Sequence, residues 1–351
     1  MAKKNVYKNI DMNPRIFSPR TSSSRSLECP FPPNLEDFCD KNGGSPLLKN
    51  LRMKIISDID SCFKLWKKFS PKKTLFDTWE FRFAFYKAYR YKPYFLLLKN
   101  QSRELALLPL WYEDEKKKYF WFGSDWQEEV RFFSMDPNYV PFLLFLAPSP
   151  LLLNAISQDS VRSLKGKIEF EEDESKYVLN LEGFRSHEDY LMTLKKKIRL
   201  NLRRNRRKIE RQNPKIVINN FSDFEHLVRL SKERFEQKRE KTDWEDPRRV
   251  EAFRQVIELA GKSYEIRIIS VLVGNTIAGV DLIALFNKCY YTLICGYDVV
   301  DFSGIGHFFN LFEIDDAIRL GMKKIDFLQD SYEWKNIFFD PIPLFKYEKI
   351  K

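Results

Sequence analysis

Cysteine, histidine and glycine are scarce in this 351-residue chain. The five cysteines (Cys29, Cys39, Cys62, Cys289, Cys295) are odd in number and form no C-x-x-C pair, and three histidines (His187, His226, His307) accompany them. Neither a disulfide framework nor a zinc cluster can be read from that set, so no metal is expected. With 12 glycines and 17 prolines in a chain that is 44% hydrophobic and 31% charged, fibrous repeats and wholesale disorder are excluded. Long apolar runs are also rare. The one uncharged stretch, 139–156, carries Pro141, Pro148 and Pro150, which would break a helix in hydrocarbon. It predicts a short buried strand over Phe142–Leu146, a proline turn and a helix start. The N-terminal MAKKNVYKNIDMNPR lacks the ~7–15-residue apolar core of a secretory signal. No transmembrane segment and a reducing, cytoplasmic setting are expected.

Positive charge is present but unevenly placed. The net charge is +11, yet 195–211 alone holds ten Lys/Arg against the single Glu210. A generally basic, polyanion-coating surface is therefore excluded; one helix-sized element carries the surplus. Leu191, Leu194, Ile198, Leu202 and Ile209 recur at helical spacing, predicting one long helix from Ser186 to about Gln212 with a buried apolar stripe and cations on its other faces. Arg199, Arg203 and either Arg206 or Arg207 share a face able to grip a phosphate or carboxylate; the alternative is a solvated charged face. Mutual repulsion, a few tenths of a kcal/mol per like-charged pair, argues for an anionic partner: a small-molecule or cell-envelope precursor, a tRNA, or a peripheral membrane contact.

Composition divides the chain into a mobile Pro/Ser/Asn/Lys-rich leader (1–48) and two folded units, 49–170 and 171–351. Each shows helices early and then a meander of strands, which predicts a duplicated α+β fold. In the second unit, Glu265–Val273, Thr276–Phe286 and Cys289–Tyr297 read as three consecutive antiparallel strands, the first two joined by Gly274-Asn275. They lead into a turn, Ser303-Gly304-Ile305-Gly306, before a helix starting near Ile305. Such a turn lets backbone N–H groups and the helix dipole meet a phosphate; the alternative is an ordinary N-cap with incidental glycines.

Gly296-Tyr297-Asp298, the S-G-I-G turn, a helix ending at Gly321, and D-F-x6-W-K from Asp326 to Lys335 resemble the second domain of GNAT-fold acyltransferases of the CelD/BcsL type, whose structural cousins are the FemABX aminoacyltransferases. The Ile198–Arg204 run fits the basic element of the same family. Trp79, Leu108-Pro109-Leu110 and Phe122-Gly123 look like its N-terminal half. The resemblance implies two GNAT-like domains, each a mostly antiparallel central sheet flanked by helices, the first without a cofactor site. The second would hold an acyl-CoA or acetyl-CoA donor, with Ser303, Gly304, Ile305, Gly306 and His307 against its pyrophosphate. The resemblance also implies that two strands splay to admit the donor, here taken as Thr276–Phe286 and Cys289–Tyr297, and that a backbone N–H meets the thioester carbonyl.

A general base would take the proton of an attacking amine. Asp281, interrupting an apolar strand, is either a desolvated carboxylate of raised pKa or an outward-facing residue. Asp298 is a second candidate base or a turn-stabilising side chain. By the same resemblance Arg199 contacts the acceptor's phosphate and Lys335 lies near the reacting groups. Arg203, Arg207, Tyr297 and Trp79, the last within an aromatic run from Trp79 to Tyr94, complete the expected substrate wall. The expected function is transfer of an acyl group to an amine or hydroxyl of an anionic acceptor by direct attack. The alternatives are an aminoacyl-tRNA-dependent transferase and a non-catalytic nucleic-acid or membrane-surface module.

Overall fold

The computed structural model describes residues 51–101, 103–124, 128–329 and 333–350; the leader expected over 1–48 lies outside them. Thirteen strands form one sheet, β1 (Leu51–Ile56), β2 (Lys92–Asn100), β3 (Arg103–Glu113), β4 (Lys118–Trp121), β5 (Phe133–Ser134), β6 (Leu151–Ser157), β7 (Glu171–Asn180), β8 (Lys215–Ile218), β9 (Glu265–Val273), β10 (Thr276–Phe286), β11 (Cys289–Tyr297), β12 (Lys324–Asp326) and β13 (Asp340–Lys349). Ten helices flank it among the described residues: α1 (Ile59–Phe69), α2 (Trp79–Tyr89), α3 (Val140–Leu146), α4 (Gln158–Arg162), α5 (His187–Thr193), α6 (Lys196–Glu210), α7 (Phe224–Lys238), α8 (Pro247–Glu258), α9 (Ile305–Arg319) and α10 (Glu333–Phe338). None is long and apolar enough to cross a membrane.

The strand order is β1-β2-β3-β4-β6-β13-β7-β12-β11-β10-β9-β8, with β5 beside β3. Read outward from its centre, the order repeats itself. Each half supplies a first strand, two helices, a three-strand antiparallel meander, a crossover helix and a parallel fifth strand. Each then sends its last strand into the other half: β7 pairs with β12, and β13 pairs with β6 as well as β7. The α+β class and the doubled architecture follow from this order.

Local chemistry explains the element ends. Asp58 caps α1 by accepting the Ser61 N–H at 2.9 Å, an interaction worth about 1 kcal/mol. Pro247 occupies the first turn of α8, where its missing N–H costs nothing. Two expectations fail instructively. The helix expected over 186–212 is two helices, because Leu194 is extended (ψ 154°) and the carbonyls freed there are collected by the Arg199 guanidinium. Over 139–156 strand and helix are exchanged. Pro141 sits in the first turn of α3, where it is tolerated, while Leu151–Ser157 forms β6 between β4 and β13. An apolar run buried on all sides carries no period to tell the two apart.

In the second half, α7 and α8 cover one face of the sheet, and α5, α6 and α9 the other, each over its own apolar core. The approach is close. A side chain at Gly296 would put its Cβ 2.3 Å from the Leu227 carbonyl oxygen of α7, so only glycine fits there.

Candidate active site

The sheet opens where β11 leaves β12. The two pair in parallel at Cys289, Tyr290 and Tyr291, after which β11 runs on from Thr292 to Tyr297 with no strand on that side among the described residues. The strands that splay are therefore β11 and β12. The expected pair, β10 and β11, stays in register from Gly279↔Tyr297 to Phe286↔Cys289 with one bulge at Leu282/Ile283. The sequence pointed to the wrong neighbour because the true one arrives only at Lys324, after a helix. The bulge lies beside the opening and sharpens the local twist of β11 there.

A cavity of about 580 Å³ occupies this opening and reaches both faces of the sheet. Asp281, Tyr297, Gly304, Gly306, His307, Glu313, Trp334 and Lys335 line it on the α9 side; Ser231, Arg234, Lys238 and Trp244 line it on the α7 side. Thr292 to Cys295 form the strand edge between them.

Asp281 is buried, 3% exposed, and accepts the Tyr297 hydroxyl at 2.7 Å. Its other neighbour is the buried Glu313 of α9, whose protonated carboxyl donates to it. Desolvation pushes Asp281 up to about 7, while the hydrogen bonds from Glu313 and Tyr297 act in the opposite direction. Glu313 is raised well above the carboxylate range by burial and then by the Asp281 charge. One turn further along α9, Asp316 shows what a different environment does. It is as buried, yet Arg267 holds it through 2.8 and 2.9 Å bonds and Arg319 through a 2.7 Å bond. Cations make Asp316 a structural anchor. Without one, Asp281 and Glu313 share a proton instead.

The glycine turn lies at the cavity's α9 end. Gly304 takes φ +98°, a region closed to most side chains, and packs against Asn205 of α6. The first-turn N–H groups of a 15-residue helix start there, although the Ile305 N–H is spent on the Phe302 carbonyl and the Ile305 side chain is fully buried. Ser303 is exposed. His307 accepts the Asn205 amide on Nδ1 at 2.7 Å, and burial lowers its pKa, so its ring is neutral with the proton on Nε2.

Other expected residues lie elsewhere or act differently. The Asp298 Oδ1 accepts the Val300 and Asp301 N–H groups, the turn-stabilising alternative. The Lys335 ammonium donates to the carbonyls of Phe327 and Gln329, fixing the segment that forms the cavity wall opposite β11. Trp79 stacks on Phe83 and Phe122 in the first-half core and does not reach the cavity. Arg199 closes the α5–α6 break, and Arg203 pairs with Glu188 at 2.5 Å. Arg206 pairs with Glu210 and approaches Asp315 at 3.7 Å. Part of the charge on this helix is thus answered within the chain, which weakens the case for an external anion there; Arg207 remains exposed. Sequence reasoning missed Glu313, Arg234 and Lys238. Glu313 had one available signal, an acid at helical spacing from the apolar Phe309 and Ala317.

Among the described residues no group of His, Cys, Asp or Glu side chains is disposed to hold a metal ion. The doubled strand order, the opening in the sheet and the crossover helix with its glycine turn define the class by fold: a tandem GNAT-like α+β architecture. Residues 196–336 match the family model described as an acetyltransferase (GNAT) domain. Among solved structures, a conserved protein of unknown function from Bacteroides thetaiotaomicron is 11% identical with a TM-score of 0.55, over 83% of this chain and 97% of that one. FemX is 10% identical with a TM-score of 0.55 over 84% and 97% of the two chains. L-PGS from Bacillus licheniformis is 11% identical with a TM-score of 0.53 over 84% and 92%. At these identities the likeness is one of fold. No curated protein matches the chain.

Proposed function

We propose that this protein transfers an acyl group from an acyl-CoA thioester to an amine or hydroxyl of an anionic acceptor, by direct attack in a ternary complex. The observation that carries the reading is the cavity through the sheet, which has a glycine turn at one end and Asp281 within it. The donor's pyrophosphate would rest against the turn from Ser303 to His307, and its pantetheine arm would follow the unpaired edge of β11. The acceptor's nitrogen or oxygen then attacks the thioester carbonyl carbon while its proton passes to the Asp281 carboxylate. A backbone N–H on the β11 edge stabilises the tetrahedral oxyanion. The C–S bond breaks, the thiolate leaves, and it takes up the proton that Asp281 received, which restores the carboxylate. Tyr297 and Glu313, both hydrogen-bonded to Asp281, fix the carboxylate's orientation.

Two measurements test this. Acetyl-CoA at about a hundred times its Kd should stabilise the protein by roughly 2.7 kcal/mol in thermal melts; no shift with acetyl-CoA or longer acyl-CoA would remove the donor assignment. In a thiol-release assay across a panel of amine and hydroxyl acceptors, D281N should lower kcat by about 10²- to 10⁴-fold with donor affinity retained, the range expected for a lost general base. Unchanged turnover in D281N would place the base elsewhere.

A further inference from the structure

The cavity is electrically divided. Its floor on the α9 side is the Asp281–Glu313 carboxyl pair. Across the sheet, α7 lines it with Arg234 and Lys238, one helical turn apart, and Lys241 follows just beyond the helix end. Arg234 is half-buried and makes no ion pair or hydrogen bond among the described residues. Lys238 pairs with Glu240 at 3.7 Å and lies over the Phe235 ring. The carboxylate on this rim, Asp243, is engaged by Arg249 at 3.2 Å. Three cations gathered on one concavity repel one another, and of the carboxylates beside them Glu240 reaches Lys238 alone and Asp243 is taken by Arg249. A ligand oxyanion removes that repulsion, and the fork of the unpaired Arg234 suits a phosphate.

The position of the rim says which ligand supplies it. The turn proposed to hold the donor's pyrophosphate lies on the α9 face, whereas these cations lie on the α7 face beside Trp244. The Asp281 carboxylate on the α9 side would repel an anion that moved inward, so a substrate held here is oriented with its charged end at the rim.

We propose that Arg234, Lys238 and Lys241 bind a phosphate group carried by the acyl acceptor, so that its amine or hydroxyl reaches Asp281 from the α7 side. This rests on the acyltransferase reading above. Calorimetric titration with inorganic pyrophosphate in saturating acetyl-CoA tests it. The affinity should fall about tenfold in R234Q and in K238Q and less than threefold in R234K, while acetyl-CoA affinity changes less than twofold in all three. Circular-dichroism melts check that each variant is folded, and K238Q decides if R234Q is not. Pyrophosphate that fails to bind wild type, or binds R234Q and K238Q as well as wild type, overturns the proposal. So does an equal loss of acetyl-CoA affinity, which would give these cations to the donor. Should acetyl-CoA not bind wild type at all, the acyl-CoA reading fails separately; pyrophosphate alone then decides the site, by the same losses in R234Q and K238Q.

Discussion

The two halves of the sheet share one strand order, yet only the second has kept its opening. In the first half β4 parts from β6 just as β11 parts from β12, with a single parallel pair at Tyr119↔Leu151. There the gap is filled. The chain around Val130 lies along β6, its N–H bonded to the Ala155 carbonyl and its carbonyl accepting the Ser157 N–H. Behind it Arg82, fully buried, donates to the carbonyls of Phe76, Gly123 and Glu129 and sits 4.0 Å from Glu128. The helix after the gap is seven residues long and begins with a proline-containing turn, where its counterpart α9 has fifteen residues and Gly304 at its start. The same topology thus gives a structural block or a site, according to what the fourth-strand loop does.

The comparison can be broken from either side. Replacing Arg82 by Met should destabilise the protein by about 3–5 kcal/mol, because it removes the cation beside buried Glu128 and the donor to three buried carbonyls. Acetyl-CoA affinity per folded molecule should not change; chemical denaturation and a binding titration together check this, and a lost donor site would show that the first half shapes the second. A smaller effect is expected from G306V. Gly306 has ordinary helical backbone, but an added Cβ would lie 3.4 Å from the Tyr297 ring inside the cavity. Acetyl-CoA affinity should fall about tenfold with a melting temperature close to wild type; full retention would move the donor away from this turn. The smallest effect is on stability against pH. Asp281 has a folded pKa near 7, above its unfolded value, so the native state holds the extra proton and this group's contribution, complete below about pH 4, is lost as pH rises toward 7. Denaturation midpoints at pH 5 and pH 8 should differ less in D281N than in wild type. An equal difference would mean that the carboxyl pair does not share a proton.

Much of this was legible in the chain. The three strands of the second-half meander were read to the residue, because Gly274-Asn275 and Asn287-Lys288 punctuate alternating apolar runs. The helix after the glycine turn and the odd carboxylate at Asp281 were legible too. Less local features were not. Leu151–Ser157 and Asp340–Lys349 escaped because β6 and β13 draw their burial from partners across the two halves rather than from their own pattern. Arg199 and Trp79 look like binding residues by type, and their partners, two carbonyls and a stack of rings, are set by packing.

Which segments are strands and helices in the meander, where the glycine turn falls and which acid interrupts a core strand are all written locally in the chain, since these depend on neighbours a few residues apart. Tertiary structure alone decided that β11 separates from β12, that Glu313 meets Asp281, that the cations of α7 rather than those of α6 line the cavity, and that the first half is closed. Each of those is a contact between residues distant in the chain, and the energies involved, desolvation of a carboxyl and pairing of buried charge, exist only once the fold has removed the water.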